Sequence, residues 1–214
     1  MTDALRVAVL DYKMSNLRSA VKALELLGAR VAVVEHPDQA AGAEAVVLPG
    51  VGAFGEAMRR LRAQGLDGVA RRAAEEGTPV LGICLGLQLL FDESEESPGA
   101  RGLGLLRGPV RRLETTRKVP QIGWNTVAWG PDPALGTDGP ASGRTYYFVH
   151  SYAAHPEDPA HVRGTADYGG PFTAAAGAGA VAGVQFHPEK SSRAGLALLG
   201  RWVAHARARR GVPA

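Results

Sequence analysis

Short apolar runs alternate with amphipathic stretches through the first 91 residues, and that alternation predicts a βαβα series. Leu5 to Leu10 reads as a buried strand. Ser15 reads as the N-cap of a helix that carries Leu17, Val21, Leu24 and Leu27 on one face and closes at Gly28. Further strands are predicted over Arg30–Glu35, Glu44–Leu48 and Pro79–Ile83, and helices over Ala53–Gln64, Asp67–Glu76 and Leu85–Phe91. The strands are continuous apolar runs, not alternating ones, so the sheet they form is parallel and covered on both faces.

After about residue 100 the texture changes to strands separated by Gly, Pro and Asp: Pro109–Leu113, Asn125–Trp129, Thr145–Ser151, Val162–Asp167, Phe172–Ala176 and Ala180–Phe186. These read as hairpins extending the same sheet. The stretch from Gly130 to Gly143 reads as a surface excursion within one domain spanning residues 1–214. A last helix, Ser192 to Arg209, presents Leu196, Leu199, Val203 and Ala206 on one face.

Composition narrows the function classes. With 214 residues, 45% apolar and 21% charged, the chain can bury one sizeable core, which excludes a disordered or fibrous protein. The net charge of +3 is local: residues 191–214 hold five arginines and no acid, towards the end of a predicted helix where cations suit its dipole. That placement removes the case for a nucleic-acid surface. Cys84 is the only cysteine, so neither a disulfide framework nor a Cys-rich zinc site can form, and no histidine has ligand spacing for a metal. The start, MTDALRVAVLDY, lacks the pattern of a signal peptide, and no apolar run is long and undiluted enough to span a membrane. A cytoplasmic location is expected.

The sharpest chemical signal is Gly82-Ile83-Cys84-Leu85-Gly86, between a predicted strand and an apolar helix. A nucleophile on a tight strand-to-helix turn needs flanking glycines, because side chains there would collide with neighbouring chain. A thiol in that position also sits at a helix N-terminus, where the dipole favours the thiolate. His187 ends an apolar strand, and Pro188 extends the backbone so that Glu189, two residues on, projects to the same side. A carboxylate that orients an imidazole while the other ring nitrogen serves a thiol is the logic of a triad. His155-Pro156-Glu157 repeats the tripeptide in an acidic, Pro-containing stretch that reads as surface. Gly50-Val51-Gly52-Ala53-Phe54-Gly55 matches a dinucleotide fingerprint in letters, but it follows the third strand and no acidic residue ends a strand about 20 residues later. Its amides suit an oxyanion hole better, with the amide of Leu85 as the second donor.

Four segments in order carry a resemblance: Pro49 to Phe54, Gly82 to Gln88, Tyr147 to Tyr152, and Gln185 to Ser191. They resemble the motifs of the triad-type, class I glutamine amidotransferases. Asp11-Tyr12, Asn16-Leu17, the Val119–Asn125 segment and Lys190-Ser191 resemble, within that family, the glutaminase subunits of imidazole glycerol phosphate synthases. The resemblance implies a flavodoxin-like α/β fold and hydrolysis of glutamine without a cofactor. It implies Cys84 as nucleophile, His187 as acid and base, Glu189 as its orienter, and the amides of Val51 or Gly52 and Leu85 as the oxyanion hole. Gly50, Gln88, His150, Ser151 and Tyr152 would bind glutamine. The ammonia would pass to a cyclase partner, a (β/α)8 barrel, across a surface containing Asp11, Asn16, Trp124, Tyr147 and Lys190. A different client synthase for the ammonia, and a stand-alone cysteine hydrolase acting on esters or lactones, are the alternatives. The chain departs from the family at Lys13 and Ser15, where glycines are usual and a backbone turn of positive φ would be less comfortable.

Overall fold

The structure is a computed structural model that describes residues 4–14, 17–132, 134–135 and 144–209. The first half follows the predicted series: β1 (Arg6–Leu10), α1 (Leu17–Leu26), β2 (Arg30–Val34), β3 (Ala45–Gly50), α2 (Phe54–Ala63), α3 (Leu66–Glu75), β4 (Val80–Cys84) and α4 (Leu85–Leu89). There follow β5 (Glu93–Ser94), β6 (Pro109–Arg112), β7 (Gln121–Thr126), β8 (Ala128–Trp129), β9 (Thr145–His150), β10 (Tyr152–Ala154), β11 (Val162–Asp167), β12 (Pro171–Ala178), β13 (Val181–Val184) and α5 (Ser192–Ala208). Ser15 and Asn16, assigned above to a helix cap and a partner surface, lie outside the described residues.

The main sheet runs β2-β1-β3-β4-β13-β12-β11-β8. Pairing is parallel from β2 to β13 and antiparallel beyond it. Successive residues of a strand face opposite sides, so β1 feeds two cores at once. Val7 and Val9 pack with Leu24, Leu198, Trp202 and Val203 of α1 and α5. Ala8 and Leu10 pack with Phe54, Met58, Leu61, Leu66 and Val69 of α2 and α3.

Three sequence expectations need correction. The Asn125–Trp129 strand is broken at Val127, whose side chain turns into the core, so its two halves join different sheets. β7 pairs β9 as a separate antiparallel ribbon, and β10-β6-β5 forms a third sheet, so not every late strand extends the main one. β5 and β10, two and three residues long, are too short to leave a periodic signal. On α5 the buried stripe is centred on Leu198 and fully buried Trp202, leaving Leu196 only partly covered.

The parallel register sets the position of the site. Gly50 of β3 lies beside Cys84 of β4, and Val184 of β13 beside Ile83, so the carboxyl ends of three neighbouring strands meet. This is where open α/β sheets bind ligands. A Cβ on Gly86 would overlap the Leu48 carbonyl oxygen, and one on Gly82 would lie 2.7 Å from the backbone of Gly86 and Leu87. Gly68, inside α3, has nothing within 4 Å. The same substitution therefore has opposite signs at two positions. Urea unfolding will show Gly86→Ala losing on the order of 3 kcal/mol or failing to fold, and Gly68→Ala gaining about 0.5–1 kcal/mol.

Candidate active site

Cys84 is the last residue of β4, with φ 56° and ψ −110°. A non-glycine residue held there is strained, by roughly 1–3 kcal/mol, and such strain persists only where the surroundings fix it. Here α4, packed against the strand ends through Gly82 and Gly86, does so. The helix that follows has five residues, where seven were expected. So short a helix carries little macrodipole, and the positive charge beside the sulfur comes from elsewhere.

It comes from His187, which follows β13 on an extended backbone (φ −99°, ψ 95°). Its Nδ1 lies 2.8 Å from Oε1 of Glu189, both side chains being nearly buried. Burial by itself lowers the pKa of His187, but hydrogen bonds to Cys84 and Glu189, and the charges of the same two groups, outweigh it and push the value up to about 10. An imidazolium therefore sits beside the sulfur at neutral pH. The loop is fixed by Ser191, whose fully buried hydroxyl donates to the His187 carbonyl (2.6 Å) and accepts from the Tyr147 amide (2.9 Å). His155, in the duplicate tripeptide, is exposed and does not line the cavity over Cys84.

A cavity of about 280 Å³ opens over Cys84, lined by Val51, Gly52, Leu85, Gln88, Glu96, Pro120, Val149, His150, Ser151, Tyr152, His187 and Lys190. At roughly 30 Å³ per water-sized atom group it holds on the order of ten non-hydrogen atoms, the size of one free amino acid. Gly50 does not line it. Its role is behind the wall, where the absence of a Cβ lets the fully buried Tyr12 hydroxyl donate to the Pro49 carbonyl (2.7 Å). Burial first, then the nearby charges of Cys84 and Asp11, push the Tyr12 pKa upward, so it remains a neutral donor.

The oxyanion donors are unequally available. Val51 N–H donates to the Met14 carbonyl (2.8 Å) and is engaged. Leu85 N–H is the first amide of α4, one of those with no intrahelical acceptor. Gly52 has φ +98°, and a Cβ there would lie 2.8 Å from the Met14 methyl. The Met14 loop is itself held by Lys13, which takes the positive φ (63°) that the sequence made uncomfortable. Asp11 offsets part of that strain, accepting from the Lys13 amide (2.8 Å), while Lys13 Nζ pairs with Asp11 and Glu35 at 3.0 and 2.6 Å. Asp11 thus stabilises this turn and does not project as a free contact residue.

Three features of the site were given no role from the sequence: a carboxylate, an apolar stripe and a buried amide. Glu96 presents a carboxylate to the cavity while its Oε2 accepts from the Phe54 amide at the start of α2 (2.7 Å). Ile122, 64% exposed, and Val149 extend Trp124 (54% exposed) and Tyr147 into an apolar stripe on the β7–β9 ribbon, where register pairs Ile122 with Val149 and Trp124 with Tyr147. Gln185, fully buried, is the third. The alternation of Ile122 and Trp124 in β7 is the signal that would have marked the stripe.

Comparison with known proteins decides the family. The glutamine amidotransferase class-I family matches residues 8–204. The chain belongs to the class I glutamine amidotransferases. A relative from Moorella thermoacetica, imidazole glycerol phosphate synthase subunit HisH, is 49% identical over 94% of this chain and 96% of its own length. The subunit of the same name from Symbiobacterium thermophilum is 47% identical over 92% of each. Among solved structures, PurLQS from Thermotoga maritima superposes with a TM-score of 0.74 at 22% identity, covering 97% of this chain and 99% of that one. That likeness concerns the amidotransferase fold. Among the described residues no cluster of His, Cys, Asp and Glu could hold a metal, and no helix is long and apolar enough to cross a membrane.

His150 gives this amidotransferase a pH-dependent element. Burial, with a smaller opposing contribution from the Tyr152 carbonyl and a further push from cationic His187, lowers its pKa to about 4. The unfolded chain binds that proton from about pH 6.5 downward. Folding stability supplied by neutral His150 is therefore complete above pH 6.5 and lost as the pH falls towards 4, by on the order of 3 kcal/mol. Urea unfolding of wild type and His150→Gln should show their stability difference narrowing over that window. A difference constant with pH would mean the imidazole is not buried neutral.

Proposed function

We propose that Cys84, His187 and Glu189 hydrolyse glutamine in this cavity and that the ammonia passes to a cyclase subunit of an imidazole glycerol phosphate synthase, in histidine biosynthesis. The observation that carries the reading is the conjunction at one strand end: a strained cysteine beside a carboxylate-held histidine, under a cavity the size of one amino acid. Glutamine brings an α-ammonium group, which the Glu96 carboxylate complements, and an α-carboxylate, which Lys190 at the rim complements.

The steps balance without a cofactor. Cys84 sulfur, its proton already on His187, attacks the side-chain amide carbon, and the carbonyl electrons move onto oxygen. The amides of Leu85 and Gly52 stabilise that oxyanion. The C–N bond breaks, His187 protonates the departing nitrogen, and a glutamyl thioester remains. His187 then takes a proton from water, hydroxide attacks the thioester carbon, glutamate leaves and the thiolate returns. Glu189 holds the imidazole in register throughout.

The apolar stripe of Ile122, Trp124, Tyr147 and Val149 is the face offered to the cyclase. Such a stripe, rich in aromatic side chains and adjoining the site, is the composition of an interface core. The relatives are named as a subunit of a synthase, which supports an assembly with a second protein here. The barrel form of the partner and a one-to-one stoichiometry rest on resemblance.

The decisive test uses the assembled complex. Cys84→Ala lowers glutamine-dependent synthesis roughly a thousandfold or more and leaves synthesis from ammonium salts intact. Loss of both, or survival of glutamine use, would sink the proposal. Glu96→Gln keeps the acceptor for Phe54 but removes the charge, so steady-state kinetics should show KM for glutamine rising about tenfold with a smaller change in kcat.

A further inference from the structure

We propose that Gln185 is a catalytic residue of this site, donating an N–H to the Cys84 sulfur and thereby favouring the thiolate. The inference rests on the reading of Cys84 as nucleophile. Parallel pairing of Val184 with Ile83 brings the next residues of the two strands, Gln185 and Cys84, abreast. Gln185 and His187, two apart on extended backbone, project to the same side and converge on one sulfur atom. The Gln185 amide N–H donates to the Ala174 carbonyl (2.8 Å), which fixes the backbone, and the side chain is fully buried.

Besides His187, the sulfur meets two groups of opposite character. As a thiol it donates to the Val149 carbonyl at 3.8 Å. Gln185 Nε2 donates to it, also at 3.8 Å. When the proton moves from sulfur to His187, the Val149 oxygen faces a negative charge with nothing to accept. The Gln185 N–H then remains the neutral donor that compensates.

Which end of the Gln185 amide meets the sulfur is dictated from outside. The Tyr152 backbone carbonyl can only accept, so Gln88 must turn its Nε2 towards it (3.0 Å). The same Nε2 donates to Gln185 Oε1 (3.1 Å). With its oxygen committed to Gln88, Gln185 has its NH2 left for the sulfur. The reverse orientation would set NH2 against NH2 and a carbonyl oxygen against the thiolate. A backbone atom of β10 therefore specifies, through two amides, the polarity presented to the nucleophile. A buried residue that merely filled space would carry no amide, because an unmatched amide there is costly.

Several other charged or titratable groups face this cluster, and a test has to hold them fixed. His187 and Glu189 follow β13, Tyr12 follows β1, His150 ends β9, and Glu96 and Lys190 stand at the cavity rim. Gln185→Leu removes the N–H without adding a charge among them.

Because Cys84 is the only cysteine in the chain, its alkylation by iodoacetamide reports one thiol without ambiguity. The intact chain is labelled from about pH 5 to about pH 10, without glutamine or partner. Gln185→Leu should raise the midpoint of reactivity by about one pH unit, the lower end for a hydrogen bond to a charged group. Gln185→Glu keeps the shape and sets a carboxylate oxygen where the N–H stood, and should raise it further. A folded Leu variant with the wild-type midpoint overturns the proposal. If that variant does not fold, a wild-type midpoint in Gln185→Glu does the same. In the unsubstituted protein, the Gln185 side-chain amide nitrogen resonance should titrate with the alkylation midpoint, and a resonance that does not move is equally fatal. Since labelling needs no substrate, failure here is separable from survival of glutamine use in Cys84→Ala.

Discussion

The carbonyl oxygen of Leu48 occupies the space a Cβ on Gly86 would need, and a Cβ on Gly82 would lie 2.7 Å from the backbone of Gly86 and Leu87. Gly183 on the neighbouring strand is similarly closed off, by the Leu87 side chain. With no side chains in between, α4 settles directly on the ends of β3, β4 and β13. The chain leaving β4 must then turn within one residue, and that residue is Cys84. Its unfavourable backbone angles are held by the two cores on either face of the sheet, which supply far more stabilisation than the turn costs. The cavity, the abreast placement of Gln185 and the position of the Leu85 amide all follow from this contact.

Charge at the sulfur is arranged by side chains brought from a distance in sequence, and the helix contributes little. His187 and Gln185 arrive from β13, and the Val149 carbonyl from the separate ribbon. In a partly closed, low-dielectric site such groups act more strongly than they would in water. Glu189 matters twice, since it both orients the imidazole and raises its proton affinity.

Much of this was legible in the sequence, for identifiable reasons. The five parallel strands are continuous apolar runs, and the elbow glycines flank a lone cysteine, so both patterns stand out locally. The spacing of His187 and Glu189 is also local. What escaped was set by tertiary pairing: the break at Val127 that divides one apparent strand between two sheets, the two- and three-residue strands β5 and β10, and the inward-facing Gly50. Gln185 stood in plain view beside His187, but only the register of β13 against β4 shows that its amide meets the sulfur. The Lys13 turn adopted the left-handed conformation despite lacking glycine, because Asp11 and Glu35 were placed to hold it.

Ser191 binds His187 to the ribbon. Its hydroxyl joins the His187 carbonyl to the Tyr147 amide, and the His187 amide donates to the Tyr147 carbonyl at 2.9 Å. The imidazole and the outward-facing apolar stripe are thus parts of one hydrogen-bonded patch of backbone. Proteins open locally in contiguous hydrogen-bonded units, and His187 shares its backbone hydrogen bonds with this ribbon. A fluctuation that lifts the ribbon from the body therefore also withdraws the imidazole from the sulfur, so the spacing of those two groups is set by how firmly a surface ribbon is seated.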